Sequence, residues 1–223
     1  MNDWVCDKFE WSDSFSYNRG KVLGFEELEK LDSYGRYLDS DNDGICYRTY
    51  PGTHPEKGAY FTRGTSHDEY ARYTEDGNIN AETLMRLMRK FRTASELVPP
   101  PIIEINGEDS CGIIYYGSSK PAVLEAKDIL KTKDINVDLM QIRSFPFNLD
   151  VWEFIASHDR IYVVEQNRDS QMRTLIMAEG GISAEILRPL VHFTGDPIEA
   201  SYIVNKISER EVNYKSHKNI KER

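Results

Sequence analysis

Asp39, Asp41 and Asp43 stand at alternate positions in DSDNDG, residues 39–44, and Gly44 closes the run. Oxygen ligands at this spacing open an EF-hand calcium loop, which also requires a bidentate Glu six residues past the glycine and a helix on each side. The residue at that place is Tyr50, which offers no carboxylate, and the following CYRTYPGTHPEKG is too rich in Pro and Gly to be a helix. The run therefore reads as a turn whose aspartates bond their own backbone. A cation held at Asp39, Asp41 and Asp43 is the alternative.

Two further groups of residues have the right types for chemistry. Arg48 lies in YRTYPG, a loop punctuated by Pro and Gly, and its guanidinium is a planar fork that matches a carboxylate bidentately. The other reading of Arg48 is an ion pair with a nearby aspartate. His67, Asp68 and Glu69 have the composition of an acid–base or metal site, or else of a turn held by its own hydrogen bonds. Thr62 and Arg63, in a short strand expected over GAYFTRG, are secondary candidates for the same pocket. Near the middle of the C-terminal half, Glu165, Gln166 and Asn167 end an apolar run, where the ligand-facing edge of a parallel sheet lies. Gln171 follows them, and Asp169 or Ser170 is expected to cap the next helix.

The elements that must carry these groups fall into two unequal parts, separated by the prolines of VPPPIIEING, residues 98–107. Before them only residues 25–38 and 80–97 read as helices. The latter has Asn80 as its expected N-cap and a Leu84, Leu87, Met88 and Phe91 stripe, which leaves Arg86, Arg89, Lys90 and Arg92 as a solvated face. So irregular a segment reads as a wrap, or as part of a domain whose remainder lies elsewhere. After the prolines, short runs rich in β-branched residues alternate with helices, beginning with GIIYYG and PAVLEAKDILKT. Continuing through VDLMQIRSF, LDVWEFIASH, RIYVVEQN, DSQMRTLIMAEGG, 188–193 and DPIEASYIVNKISER, they predict a parallel sheet covered on both faces. The polar end, residues 209–223, is expected to fray.

The bulk properties exclude several classes of function. A formal charge of −9 argues against nucleic acid, which calls for a basic surface. No apolar run is long enough to span a membrane, and MNDWVCDKFEW lacks the pattern of a signal peptide, so the cytoplasm is the expected location. Three scattered cysteines, Cys6, Cys46 and Cys111, form neither a disulfide framework nor a zinc or cluster motif. The Gly117–Ser119 turn has no glycine fingerprint for a nucleotide phosphate.

The run DSDNDGICYRTYPGTHPEKGAYFTRGTSHDEYARYTED resembles a segment of the α subunit of 2-oxoacid:ferredoxin oxidoreductases, notably the 2-oxoglutarate type. IYYGSSKPAVLEAKDIL, IYVVEQNRDSQMRTL and RPLVHFTGDP resemble the transketolase C-terminal-like α/β domain that follows it in the family. The resemblance spans roughly residues 4–207. It implies that residues 1–98 are the tail of a thiamine pyrimidine-binding domain with a linker helix, that 99–208 are the C-terminal-like domain, and that 209–223 are a tail. It also implies CoA-dependent oxidative decarboxylation of a 2-oxo acid in a complex. Thiamine diphosphate, Mg²⁺ and an iron–sulfur cluster are then supplied by partners: a β subunit, the missing N-terminal part of the α subunit, and ferredoxin. Arg48 would face the substrate carboxylate with Thr62, Arg63 and His67 nearby, while Glu165, Asn167 and Gln171 would meet another subunit. The chain alone is expected to be inactive. An assembly module without activity, or a gene fragment, is the competing reading.

Overall fold

The computed structural model describes residues 12–14, 16–62, 66–107 and 111–221, without the side chains of 213 and 215–221. The chain divides into two compact units, Glu10–Leu97 and a unit running from Val98 to Arg223.

In the second unit, five strands form one sheet: β1 (Ile102–Glu104), β2 (Cys111–Tyr115), β3 (Val137–Gln141), β4 (Ile161–Glu165) and β5 (Leu187–Val191), in spatial order β1-β3-β2-β4-β5. Strands β2 to β5 are parallel, as the alternation with helices predicts, and β1 adds an antiparallel edge. The period-2 geometry of strands sorts alternate residues to opposite faces. Ile113, Leu139, Tyr162 and Val164 face α3 (Lys120–Lys131) and α6 (Ala200–Lys221), which contribute Val123, Leu130, Ile203 and Ile207. Ile114, Met140, Ile161 and Val163 face α4 (Leu149–Ala156) and α5 (Gln171–Gly180), with Phe154, Ile155 and Ile176. Burying both faces is why these strands are near-continuous apolar runs.

Strand β3 lies on one side of β2 and β4 on the other. The order reverses between β2 and β4, so the carboxyl ends of those two strands form the topological switch point. Helix α5 ends at Gly181, whose φ of +61° is a left-handed cap that suits glycine.

The stretch after the prolines is a strand, because Ile102–Glu104 pairs with Leu139–Gln141. Helix α6 continues to Lys221. It is anchored by Glu211, a buried carboxylate that accepts bonds from Arg160 Nε and Tyr162 Oη, both at 2.8 Å. Finally, neither Asp169 nor Ser170 caps α5. Ser170 makes no side-chain cap bond, and Asp169 pairs with Arg168.

Unit Glu10–Leu97 contains α1 (Phe25–Glu29), α2 (Gly77–Leu97) and turns joined by isolated bridges, Val22 to Arg48 and His67 to Tyr73. Its buried apolar side chains are Leu28 and Ala71 among the described residues. The helix expected over 25–38 stops at Glu29. Lys57 Nζ donates to the carbonyls of Glu29 and Leu31, taking acceptors that a longer helix would use. Helix α2 opens earlier than Asn80, because Asp76 Oδ1 accepts the Asn78 N–H at 2.8 Å and supplies the cap. The strand expected over GAYFTRG is not formed by residues 58–62, and the rest of it lies outside the described residues.

Two of the four basic residues expected on a solvated face of α2, Arg86 and Arg89, are bonded instead, while Lys90 and Arg92 are exposed as expected. Arg86 donates to the Gly44 carbonyl at 3.0 Å, Arg89 pairs with Asp39 at 2.9 Å, and Thr93 Oγ1 donates to the Asp43 carbonyl at 2.6 Å. The polar side therefore packs on the DSDNDG turn, and Leu84, Met88 and Phe91 are exposed.

Candidate functional site

The aspartate turn is closed by its own backbone and by two cations of the chain. Asp39 Oδ1 accepts the Gly44 N–H and Asp43 Oδ1 the Ile45 N–H, each at 2.8 Å. Lys21 Nζ lies 2.6 Å from Asp41 and 2.7 Å from Asp43, while Arg89 takes the other oxygen of Asp39. The Lys21 bond holds the Asp43 carboxyl below its ordinary range. Burial works against the Lys21 charge, but the bonds to Asp41 and Asp43 outweigh it and raise its pKa. An ammonium thus sits where the sequence alternative placed a metal. No described group of three or more His, Cys, Asp or Glu is arranged to hold a metal ion.

The same Lys21 leads to Arg48. The Arg48 N–H donates to the Lys21 carbonyl, and the Arg48 carbonyl accepts from the Leu23 N–H, both at 2.9 Å. This bridge fixes the backbone from which the Arg48 side chain projects. Its Nη2 donates to the Arg19 carbonyl at 2.6 Å, and the guanidinium lies 5.8 Å from the centre of the Tyr50 ring. The ion pair with an aspartate considered for Arg48 is not formed, since Lys21 and Arg89 hold those carboxylates. Arg48 is exposed, tethered at one corner of its fork.

The loop after Arg48 closes around His54, which is buried inside it. Its Nδ1 accepts the N–H groups of Glu56 and Lys57, so Nε2 carries the proton that it donates to Glu29 at 2.8 Å. That bond, ahead of the smaller effects of nearby charges, pulls the exposed Glu29 carboxyl below its ordinary range. Phe25 stacks on the imidazole.

In HDEY, Asp68 does the anchoring. Its Oδ1 accepts the N–H groups of Tyr70 and Arg72 at 2.9 and 2.8 Å and shapes the turn in which Ala71 has φ +68°. His67 stacks on Tyr37 with centroids 3.8 Å apart, and its Nδ1 donates to the Asp68 carbonyl. A groove of about 650 Å³ runs between Tyr37, this turn and α2, lined by Asp68, Arg72, Glu82, Met85 and Arg86 among others. It is lined by neither Arg48, Thr62 nor His67. Thr62 is exposed, and Arg63 lies outside the described residues.

At the switch point of the second unit, Glu165 is fully buried. Its carboxylate accepts the N–H groups of Met172 and Arg173 at 2.7 and 3.0 Å and the Asn167 amide at 2.8 Å. A negative charge at a helix N-terminus satisfies both the orphan donors and the helix dipole. Glu165 is therefore an internal cap of α5. Asn167 Oδ1 accepts the Asp169 and Gln171 N–H groups, at 3.1 and 3.2 Å, and completes the cap. Gln171 is exposed at the first position of α5. Gln166, expected with its neighbours at the ligand-facing edge, reaches across to Ser118 and Ser119 at 3.0 and 3.3 Å and ties the β4 end to the β2 end. Nothing in the sequence pairs residues so far apart without the strand order.

No protein-family model matches the chain. Among characterised proteins, subunit alpha of 2-oxoacid:ferredoxin oxidoreductase 2 from Aeropyrum pernix is 28% identical over 200 residues, covering 86% of this chain and 29% of that one. The alpha subunit of the Saccharolobus solfataricus 2-oxoacid:ferredoxin oxidoreductase is 28% identical over 124 residues, 53% of this chain and 20% of that one. This chain is a relative of 2-oxoacid:ferredoxin oxidoreductase α subunits. It spans less than a third of the length of either of these relatives. Among solved structures, the 2-oxoglutarate:ferredoxin oxidoreductase of Magnetococcus marinus, with 2-oxoglutarate, coenzyme A and succinyl-CoA bound, matches with a TM-score of 0.71. That match covers 81% of this chain and 31% of the other at 23% identity, which speaks to the fold. The α-subunit resemblance read from the motifs and the mixed α/β fold both hold.

Proposed function

We propose that this chain is the C-terminal portion of the α subunit of a CoA-dependent 2-oxoglutarate:ferredoxin oxidoreductase, acting in substrate recognition and subunit assembly. The observation that carries the reading is the match over 86% of the chain to an α subunit, which takes in the Arg48 loop and the Glu165 cap together. On this reading the partners are a β subunit and ferredoxin. Residues 1–98 are the end of a pyrimidine-binding domain and 99–208 a transketolase C-terminal-like domain.

The described residues do not fit a metal or cluster: no ligand group is present, Cys46 is half-buried and Cys111 is buried. Thiamine diphosphate, Mg²⁺ and the iron–sulfur cluster are accordingly assigned to the partner chains, and no step is routed through them here. This chain's own part is recognition. The Arg48 guanidinium, bonded to the Arg19 carbonyl and beside the Tyr50 ring, receives a carboxylate of the oxo acid, and Thr62, Arg63 and His67 are its proposed companions in recognition. Asn167 and Gln171, at the start of α5, meet a neighbouring subunit.

The test is co-purification from the source, followed by 2-oxoglutarate-dependent reduction of a viologen dye. Arg48→Ala removes a charge-assisted contact of about 1.5–3 kcal/mol, so KM should rise by roughly 10- to 150-fold with a smaller change in kcat. A complex that forms and reduces dye with an unchanged KM in Arg48→Ala would favour the assembly module instead. A chain that purifies alone would sink the proposal.

A further inference from the structure

Strand β1 leaves one edge of the sheet open. Ile142 donates its N–H to the Tyr115 carbonyl at 2.9 Å, so the peptides of Met140 and Ile142 turn to β2, and those of Leu139 and Gln141 turn to β1. Their partners in β1 are Glu104 and Ile102. The N–H and C=O of Ile103, between them, therefore point out of the sheet, and no described residue bonds them. Alternation turns the Pro101 and Ile105 peptides the same way, although proline brings only its carbonyl. The edge is pinned at both ends. Ser144 Oγ and Arg143 Nε donate to the carbonyls of Pro99 and Pro100 at 2.6 and 2.7 Å. Asn106 donates to Asp138 Oδ1 and to the Val137 carbonyl, both at 2.8 Å. Ile102, Ile103 and Ile105 are 47%, 38% and 62% exposed. Open edges are ordinarily blunted by outward charges. The charge on this one, Glu104, lies on the α3 side and is held by Lys127 at 2.8 Å.

An ordered apolar edge with unused backbone groups takes another strand, and its own copy is the best match. Antiparallel pairing about a two-fold axis at Ile103 sets Ile103 against its copy and Ile105 against Pro101. Every outward N–H of Ile103 and Ile105 then meets a carbonyl, and Glu104 lies opposite Ile102. An axis at Glu104 would put two carboxylates directly opposite each other. An axis at Ile102 would call on the Pro99 carbonyl, which Ser144 already bonds.

We propose that two copies of this chain pair through β1, antiparallel about Ile103, into one sheet that runs across both. The inference stands on strand geometry and goes beyond the functional reading above, so either can fail without the other. The test is sedimentation equilibrium of the purified full chain at ~100 µM, above the micromolar range of a small interface. A dimer is the expected result. Ile103→Pro deletes an N–H that only the second copy uses, and it should weaken the dimer roughly 30-fold, one hydrogen bond being lost from each copy. Circular dichroism of that variant should be unchanged, because the bonds of β1 to β3 belong to Ile102 and Glu104. Ile103→Cys should form an intermolecular disulfide under mild oxidation, read as a 103–103 link by mass spectrometry, since opposed Cα atoms of a hydrogen-bonded pair lie ~5.5 Å apart. Glu104→Cys should not, because it faces position 102 of the other copy. If Ile103→Pro fails to fold, the two cysteine variants decide alone. A monomer at that concentration, a dimer indifferent to Ile103→Pro, no link through Ile103→Cys, or a link through Glu104→Cys instead would each overturn the proposal.

Discussion

Replacing Gly44 by Ala tests whether the DSDNDG turn serves as a helix seat. Gly44 has φ +80°, and a Cβ there would stand 2.2 Å from the Lys90 nitrogen, 2.7 Å from its Cα and 2.8 Å from the Arg86 carbonyl oxygen. All three are backbone atoms of α2, so no side chain can swing aside. The left-handed backbone alone costs about 1–2 kcal/mol with any β-carbon. Relieving the clash means lifting α2 by roughly 1 Å or more, since heavy atoms pack at ~3.5–4 Å. That stretches the Arg86–Gly44 and Thr93–Asp43 bonds, now 3.0 and 2.6 Å, out of range. Each is worth about 1 kcal/mol net, which brings the total to about 3–4 kcal/mol. With so little apolar core the unit has nothing to absorb the loss. Hydrogen exchange followed by mass spectrometry is the assay. Amides of α2 and residues 39–45 should exchange about 10²–10³ times faster, while β2 to β5 keep their protection. An acceleration below about fivefold, or one shared equally by the sheet, would show that α2 is not held by this turn.

Four other outcomes are expected. Glu165→Ala leaves two helix N–H groups and the Asn167 amide without their acceptor and should cost about 3 kcal/mol in denaturant unfolding of the sheet unit; a loss under about 1 kcal/mol would contradict the cap. Because Asp43 is held below its ordinary 3.8, the tie to Lys21 is complete above that pH and is lost as pH falls below it. The stability gap between wild type and Lys21→Ala should therefore be flat at neutral pH and close only in acid. Burial pushes the Cys111 thiol up to about 12, so iodoacetamide at pH 8 should label it only after unfolding; labelling of the native chain would refute its burial. Limited proteolysis of the isolated chain should cut first within residues 10–97, while residues 100–207 persist as a resistant core, and even cleavage of both units would count against the thin-core argument.

The sheet unit was legible because its chemistry is local. Ile, Val and Tyr runs such as IIYYG and IYVVE leave no other place for themselves than a doubly covered strand, and Pro121 and Gly181 punctuate the helices at their proper ends. Strand β1 escaped notice because three residues after three prolines carry no periodicity, and its pairing depends on β3, which lies more than thirty residues away. Helix α2 was found but faced wrongly. The amphipathic rule sends the apolar stripe inward, whereas here Gly44 lets a backbone approach the polar side, and Asp39 and Asp43 reward that approach with bonds to Arg89 and Thr93. The same distance effect hid Lys21, whose partners stand twenty and twenty-two positions away. Arg48 was singled out by its loop, but its release from the aspartates could be seen only once their actual partners were known.

The Glu211 carboxylate fixes where this chain can be cut. Arg160, at the entrance to β4, pairs with it through Nε at 2.8 Å, with the Tyr214 ring over its guanidinium at 4.2 Å. A stop placed after Ile207, where the apolar pattern of α6 ends, would take the buried carboxylate away from Arg160 and leave the Tyr162 hydroxyl without its acceptor. Removing one member of a buried ion pair costs about 3–5 kcal/mol, enough to turn a soluble fragment into an aggregating one. An expression boundary or affinity tag is therefore safe only beyond Tyr214, although composition alone would have put it several residues earlier.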